Sequence, residues 1–536
     1  MIELGLALSI FGAVLGFCPW SSEPFVATKL ALVLTGAAIS LGSLCIRPKQ
    51  ELGSQSVPLL TWAYIILSTT LFSCDPLVSL IGLGDSSQGS FISFMALGLS
   101  LSAAQMSGLS ARRLATHVLA ACCICAAYSV LQRLGQDPLF AGYQTYFGGR
   151  SFSTMGGPVL LAPVLAAALA LAVGHGEWAA SALILVGLLA TGTRAAIGGG
   201  LAGAALAAYL SGRVSSATAS RFAGLAIFAA VLSRASALGS DLGRVSLWAM
   251  AWQGFLDRPF AGWGANTFGV AMRQYIGADY LSVHGPLLTH SHAHNLVLQT
   301  LFSYGLMGVV GLLVTVLFGT WLWVSRRRED APALGAVAAV LICAQTNPVP
   351  LAGWLVGLVG LAPLVGSLSS RCRLPARATY AAAALACGLL LVQSRLVRAE
   401  METKAGRVAW NQRKGLEAAN HFNKAARLNP WSCDVIAAQL DSSRNLVPWM
   451  SQEQAEQTAK DGLRIAKRLV KSHPSDARAH EALSAQFSLM ALLSSGQEHR
   501  EMLAQATAAI KKAKDLAPTF TPIAARMSVI AGRGEL

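Results

Sequence analysis

Three histidines at alternate positions, His290, His292 and His294, stand directly before an apolar run in the segment THSHAHNLVLQTLFSYGLMG, residues 289–308. An imidazole exchanges protons near neutral pH, so a ring at the mouth of a helix can serve as a general base. In an extended strand the three rings would also point the same way, as zinc ligands do. No Asp or Glu is adjacent and no Asp-x-Asp pair stands in the neighbouring loops, so no metal is expected. Arginines form the second group: Arg150 in GGRSFSTMGGP, Arg194 in ATGTRAAIGGG, and Arg244 in GRVSLWAMAWQG. Arg244, Trp248 and Trp252 share one face if that stretch is helical. The Gly-rich FAGWGANTF after it turns the chain back, because glycine tolerates positive φ and close approach.

The elements that must position these groups are membrane helices. Of the 536 residues, 54% are hydrophobic and 12% are charged, against about 25% charged in ordinary globular chains. Long apolar runs, approximate spans, recur at 2–17, 27–46, 58–74, 91–108, 114–132, 157–173, 178–191, 195–211, 222–233, 309–325, 332–347, 350–368 and 377–394. The expected fold is therefore all-α and polytopic, with about 12–13 spans. Placing the N-terminus in the cytoplasm makes the loops at Arg47 and Lys49, Arg112 and Arg113, Arg213 and Arg221, Arg326 to Arg328, and Arg371 to Arg377 internal. Arg150, Arg194, Arg244, the long 234–308 segment and the C-terminus then face outward. A loop of that length in a compact membrane protein carries function. The first span lacks a basic leader and a small-residue cleavage site, so it is expected to be retained. The net charge of +15 does not point to nucleic acid, because most basic residues before the tail sit in short loops between apolar runs. The cysteines, such as Cys122, Cys123 and Cys125, lie mostly inside apolar segments as small hydrophobes.

The motifs carry a family resemblance over about residues 1–395. Arg244, Trp248, Pro259, Gly262, Gly264, Phe268, His294, Asn295, Gly305 and Gly308 together resemble the core signature of the O-antigen ligase and Wzy-type polymerase superfamily. QRLGQDP, followed by the Arg150 segment, and the Arg194 segment also resemble it; Val159 departs from the Asn that members often carry after that proline. The resemblance implies an inverting, metal-independent glycosyltransferase of the GT-C type without a cofactor. Its donor would be a glycan on a polyprenyl diphosphate, and its acceptor a hydroxyl on a glycolipid, a glycan or a protein. It also implies a bacterial inner-membrane location, with surface polysaccharide (lipopolysaccharide) synthesis as the setting. Arginine is the permanently protonated, bidentate partner of phosphate, so Arg194 and Arg244, with Arg150 as a third, are expected to hold the diphosphate. His294, beside a helix start, is the expected base; His290 and His292 are expected to be solvated loop residues. A ligase, a polymerase and a protein O-oligosaccharyltransferase share this donor chemistry. A non-catalytic lipid-glycan transporter is the alternative from another class, and it would show paired polar residues in mid-span.

Composition changes near Arg395–Arg398: the last 139 residues hold 34 of the chain's 67 charged residues. Two domains are expected, a membrane domain over 1–395 and a soluble extracytoplasmic one over 396–536. In the second, Pro430, Pro474 and Pro518 end three similar segments at a spacing of 44. These read as helical hairpins similar to tetratricopeptide repeats but longer than the usual 34 residues, which stack and present a surface to a protein partner.

Overall fold

The structure, a computed structural model, describes residues 1–46, 50–52, 56–82, 89–140, 143–218, 220–221, 224, 238–285, 290–325, 328–363, 372–374 and 376–519. The protein is an all-α polytopic membrane protein. The longer helices are α1 (Ile2–Leu15), α2 (Val26–Leu44), α3 (Ser56–Leu71), α4 (Phe91–Met106), α5 (Ala111–Arg133), α6 (Pro158–His175), α7 (Trp178–Ala190), α8 (Arg194–Leu210), α9 (Leu238–Asp257), α10 (Leu296–Ser325), α11 (Ala331–Ala344), α12 (Leu351–Leu358) and α13 (Ala376–Asn411). Five of them are long and apolar enough to cross a membrane, namely α2, α5, α6, α10 and α13 from Arg377 onward, and shorter apolar helices accompany them. The expected span at 222–233 lies, except for Gly224, outside the described residues, as do Arg47, Lys49, Arg326, Arg327, Arg371 and Arg234.

Helix α6 is the centre of the bundle, packed by α5, α7, α8, α11 and α12. Small residues set the spacing, as membrane interiors require when lipid gives helices no hydrophobic reason to associate. A Cβ on Gly203 of α8 would lie 2.5 Å from the Gly335 carbonyl oxygen of α11, and one on Gly335 would lie 2.6 Å from that of Gly203. Two segments depart from the expected pattern. Helix α10 begins at Leu296, where the apolar run beginning at 309 set the expected start, and breaks internally at Gly305. A two-stranded antiparallel pair, β1 (Gln50–Leu52) with β2 (Cys372–Leu374), adds a small element to the all-α pattern.

The chain turns sort onto two opposite faces. On the face of the N-terminus, Glu3 binds Arg113 (2.6 Å) and His117 (3.0 Å), Arg112 meets Glu177 (3.6 Å), and Arg213 donates to the Gly174 carbonyl (3.1 Å). The β1–β2 pair and Arg328, next to Gly212, lie there too. On the other face, Thr154 donates to the Val14 carbonyl (2.8 Å), Cys74 N–H to that of Trp263 (3.0 Å), and Asn295 to that of Gln345 (3.3 Å).

Helix α13 runs unbroken from 376 to 411, through the point where composition changes, and carries the chain away from this second face. Helices α14 (Gly415–Leu428), α15 (Cys433–Leu446), α16 (Gln452–Ser472), α17 (Ala477–Leu493) and α18 (Gly496–Leu516) then pack back and forth. Each proline of the 44-residue period follows the end of α14, α16 or α18 by two residues, as expected of a residue that cannot continue a helix. The first two of these proline turns return to the bundle. His473, 1% exposed, places Nδ1 2.5 Å from Asp75 Oδ2 and Nε2 2.8 Å from the Trp431 carbonyl. Asp476, fully buried, is bound by Arg478 (2.6 Å) and reached by Arg273 (3.5 Å).

Candidate active site

The break in α10 is where the site is built. Gly305 has φ 58° and ψ −145°, a conformation that side-chain-bearing residues avoid. The turn frees helix N–H and C=O groups, and segment 259–264 takes them. Leu306 N–H donates to the Pro259 carbonyl (2.7 Å), Trp263 N–H to that of Phe302 (2.9 Å) and Gly264 N–H to that of Ser303 (2.9 Å). Contact is backbone on backbone: a Cβ at Gly305 would lie 2.4 Å from the Pro259 oxygen, and one at Gly262 2.5 Å from the Ser303 carbonyl carbon. Phe268 and Trp263 pack their rings on Phe302 beneath this joint. The spaced glycines of the motif are thus a lacing, and they fix the end of α9, which carries Arg244, against the start of α10, which follows His294.

His294 itself has φ 54°, an uncommon left-handed state for a non-glycine residue. Its neighbours hold it there. Asn295 Oδ1 caps α10 through Leu298 N–H (3.0 Å), Gln299 Oε1 accepts from Ala293 N–H (2.8 Å), and His292 Nδ1 accepts from His294 N–H (2.9 Å). Burial, then the neighbouring His292, His290 and Arg244, push the His294 pKa down to about 3, while the Thr346 carbonyl works the other way. The ring is therefore neutral at physiological pH, and its buried Nδ1 has no hydrogen-bond partner.

His290 and His292, expected in solvent, are instead packed into the same structure. His290 Nδ1 lies 2.7 Å from the Tyr280 hydroxyl, and its ring is 4.7 Å from that of His284. Burial pushes both pKa values down to about 4. The turn at His294 abolishes the extended strand that would align three rings, and among the described residues no group of three His, Cys, Asp or Glu side chains is placed to hold a metal ion.

Arg150, Arg194 and Arg244 come from three distant segments and converge. Arg150 donates from Nε to the Thr191 carbonyl (2.8 Å) and from Nη2 to Thr193 Oγ1 (2.8 Å), which ties it to the start of α8 where Arg194 stands. Burial and then the charges of Arg194 and Arg244 lower its pKa. Arg244 also acts on His294. Four residues expected from the sequence thus share one neighbourhood whose cations repel each other, an arrangement an anion relieves. Trp248 turns its Nε1 inward, whereas Trp252 is 47% exposed and meets the Phe255 ring at a tilt, so the two rings do not share one environment.

Behind the histidines opens a cavity of about 1310 Å³, walled by α3, α4, α10, α11 and α12. Its lining is polar at one end, through Asn266, Ser291, His292, His294 and Gln299, and apolar along α10 as far as Phe318 and Trp323.

Two further features were missed from the sequence. Gln132, 1% exposed, accepts from Phe152 and Ser153 N–H (3.0 and 2.7 Å) and donates to Asp137 (3.0 Å), which pins the loop bearing Arg150. The QRLGQDP stretch signalled it, though only as a family motif. Asn266 lines the cavity beside His294, and its place in the Gly-rich turn was the available signal.

Residues 179–313 match the family model described as O-Antigen ligase. The match contains Arg194, Arg244, the laced glycines and His294, while Arg150 and the C-terminal helices fall outside it. No curated protein matches the chain.

Proposed function

We propose that this membrane protein, whose residues 179–313 belong to the O-antigen ligase family, transfers a glycan from a polyprenyl diphosphate to a hydroxyl acceptor. The family supports a ligase- or polymerase-type role in surface polysaccharide synthesis. The observation that carries the finer reading is the convergence of Arg150, Arg194 and Arg244 beside a neutral, half-buried His294 at the polar end of an apolar cavity. The cavity suits a prenyl chain, and the arginines suit the charge of a diphosphate.

In this reading the acceptor hydroxyl lies against His294 Nδ1. The oxygen attacks the anomeric carbon from the side opposite the diphosphate, its proton passes to Nδ1, and the bond from carbon to phosphate oxygen breaks. The anomeric configuration inverts. The leaving diphosphate keeps the electron pair, and its growing charge is met by guanidinium groups already in place. Because Arg244 helps to depress the histidine, a diphosphate that neutralises Arg244 makes His294 more basic. The base thus gains strength when donor is bound.

The basic loops at Arg112, Arg113, Arg213 and Arg328 share the N-terminal face. That favours a cytoplasmic N-terminus, with the site and the C-terminal helices on the outer side of a bacterial inner membrane. The C-terminal helices, seated beside the site, would act as a repeat module similar to tetratricopeptide repeats that recruits a protein partner.

The test uses purified protein in lipid nanodiscs with a labelled lipid-linked glycan. Arg244→Ala should bind donor weakly, while His294→Ala should bind it normally and lose about 10²–10⁴ in turnover. Equal donor binding by both variants, or full turnover by His294→Ala, overturns the assignment. Glycolipid and glycoprotein profiles of a deletion strain identify the acceptor as the class that loses its glycan.

A further inference from the structure

Asn266 combines three features that no structural role accounts for together. Its φ is 60°, in the left-handed region where side chains are disfavoured and Asn is among the few tolerated. It is 9% exposed, yet its Nδ2 finds no hydrogen-bond partner. It lines the same cavity as His292, His294 and Gln299.

The turn that holds it cannot relax to satisfy the amide. Ser79 Oγ donates to the Ala265 carbonyl (2.8 Å), Thr267 Oγ1 to that of Gly264 (2.8 Å), and Cys74 N–H to that of Trp263 (3.0 Å). Glycine would adopt this backbone state at no steric cost. What asparagine adds over glycine is an amide at the border of the cavity whose Nδ2 is unmet, and an unmet donor in a buried site marks a place where a ligand's oxygen belongs.

We propose that Asn266 Nδ2 donates to a non-bridging oxygen of the phosphate nearest the prenyl chain. This rests on the reading of the donor as a polyprenyl diphosphate. A prenyl chain filling the apolar length of the cavity along α10 brings its first phosphate to the polar end, where Asn266 stands. The arginines do not line the cavity; Arg244 acts on His294 and, with Arg194, on Arg150, and the second phosphate and the sugar would meet them there. A neutral amide at the first phosphate and guanidinium groups at the second place the charge stabilisation on the phosphate that leaves the sugar, while the amide fixes how far the lipid enters.

Asn266→Gly tests this without disturbing the turn, because glycine keeps φ near 60°. Binding is measured in nanodiscs for polyprenyl monophosphate, polyprenyl diphosphate, and polyprenyl diphosphate carrying one N-acetylglucosamine. The variant should bind all three about tenfold more weakly, the loss expected of one hydrogen bond to a charged group. Arg194→Ala should leave monophosphate binding unchanged and weaken the two diphosphates. Thermal unfolding of Asn266→Gly should match the parent. Unchanged monophosphate binding in Asn266→Gly overturns the proposal, whether the sugar-bearing lipid is affected or not. If the parent protein binds none of the three lipids, the donor assignment itself fails, and that outcome is distinct from a variant that behaves like a binding-competent parent.

Discussion

Gly305→Ala should unlace the site. Alanine at φ 58° and ψ −145° occupies a region that is essentially glycine's own, at a cost of about 1–3 kcal/mol. Its methyl carbon would stand 2.4 Å from the Pro259 oxygen and 2.6 Å from the Phe260 carbonyl carbon, both backbone atoms that cannot rotate away. Segment 259–260 must then withdraw, which breaks the bonds from Leu306 N–H to Pro259 (2.7 Å) and from Met307 N–H to Phe260 (3.3 Å). At roughly 0.5–1.5 kcal/mol each, these bring the total to about 2–6 kcal/mol. The loss should be local first, because the same joint carries the bonds of Trp263 and Gly264 to the broken helix. Amide hydrogen exchange in nanodiscs should show lost protection over 259–264 and 302–307, with transfer activity falling in step. Gly319→Ala, in the same helix with nothing within 4 Å of the added carbon, is the control and should exchange like the parent. If Gly305→Ala also exchanges like the parent, the break is not held by this lacing and the account of the motif glycines is wrong.

Acid should loosen the histidine loop. His290, His292 and His294 are neutral in the fold, with pKa values pushed down to about 4, 4 and 3 from 6.5, so their stabilising contribution is complete above 6.5 and declines as pH falls toward those values; exchange over 290–295 read from pH 7 to 5 checks it. His473 has the opposite sign. Burial works against its charge but the Asp75 carboxylate prevails and raises its pKa, so its contribution is full below 6.5 and disappears as pH rises through the raised value. Exchange around 431–434 should therefore speed up in alkali. His473→Ala leaves Asp75 buried without its cation, at a cost of about 3–5 kcal/mol; limited proteolysis should cut the C-terminal helices more readily, and an unchanged pattern would show that other contacts hold them. Chelator should leave transfer activity intact, and a requirement restored by one divalent ion would reverse the expectation drawn from the missing acidic pair.

Much of this protein could be read locally. Apolar runs declare membrane helices because the bilayer acts on each segment alone, so runs such as 27–46, 114–132 and 157–173 coincide with α2, α5 and α6 within a few residues. The period-44 prolines end helices for the same local reason. The motif residues named the neighbourhood, since arginine and histidine carry their chemistry wherever they stand. What the sequence could not state were relations between distant segments. The start of α10 at 296 was obscured because polar Gln299, Thr300 and Ser303 interrupt its first turns, and they are tolerated there because they face the site and segment 259–264. His290 read as a solvated residue, since its packing depends on Tyr280 and His284 meeting it. The pairing of His473 with Asp75 joins residues 398 apart, and the amide of Asn266 acquires meaning only from the cavity it borders. Hydropathy is summed along the chain, but a site is decided by which segments meet, and only the tertiary structure fixes that.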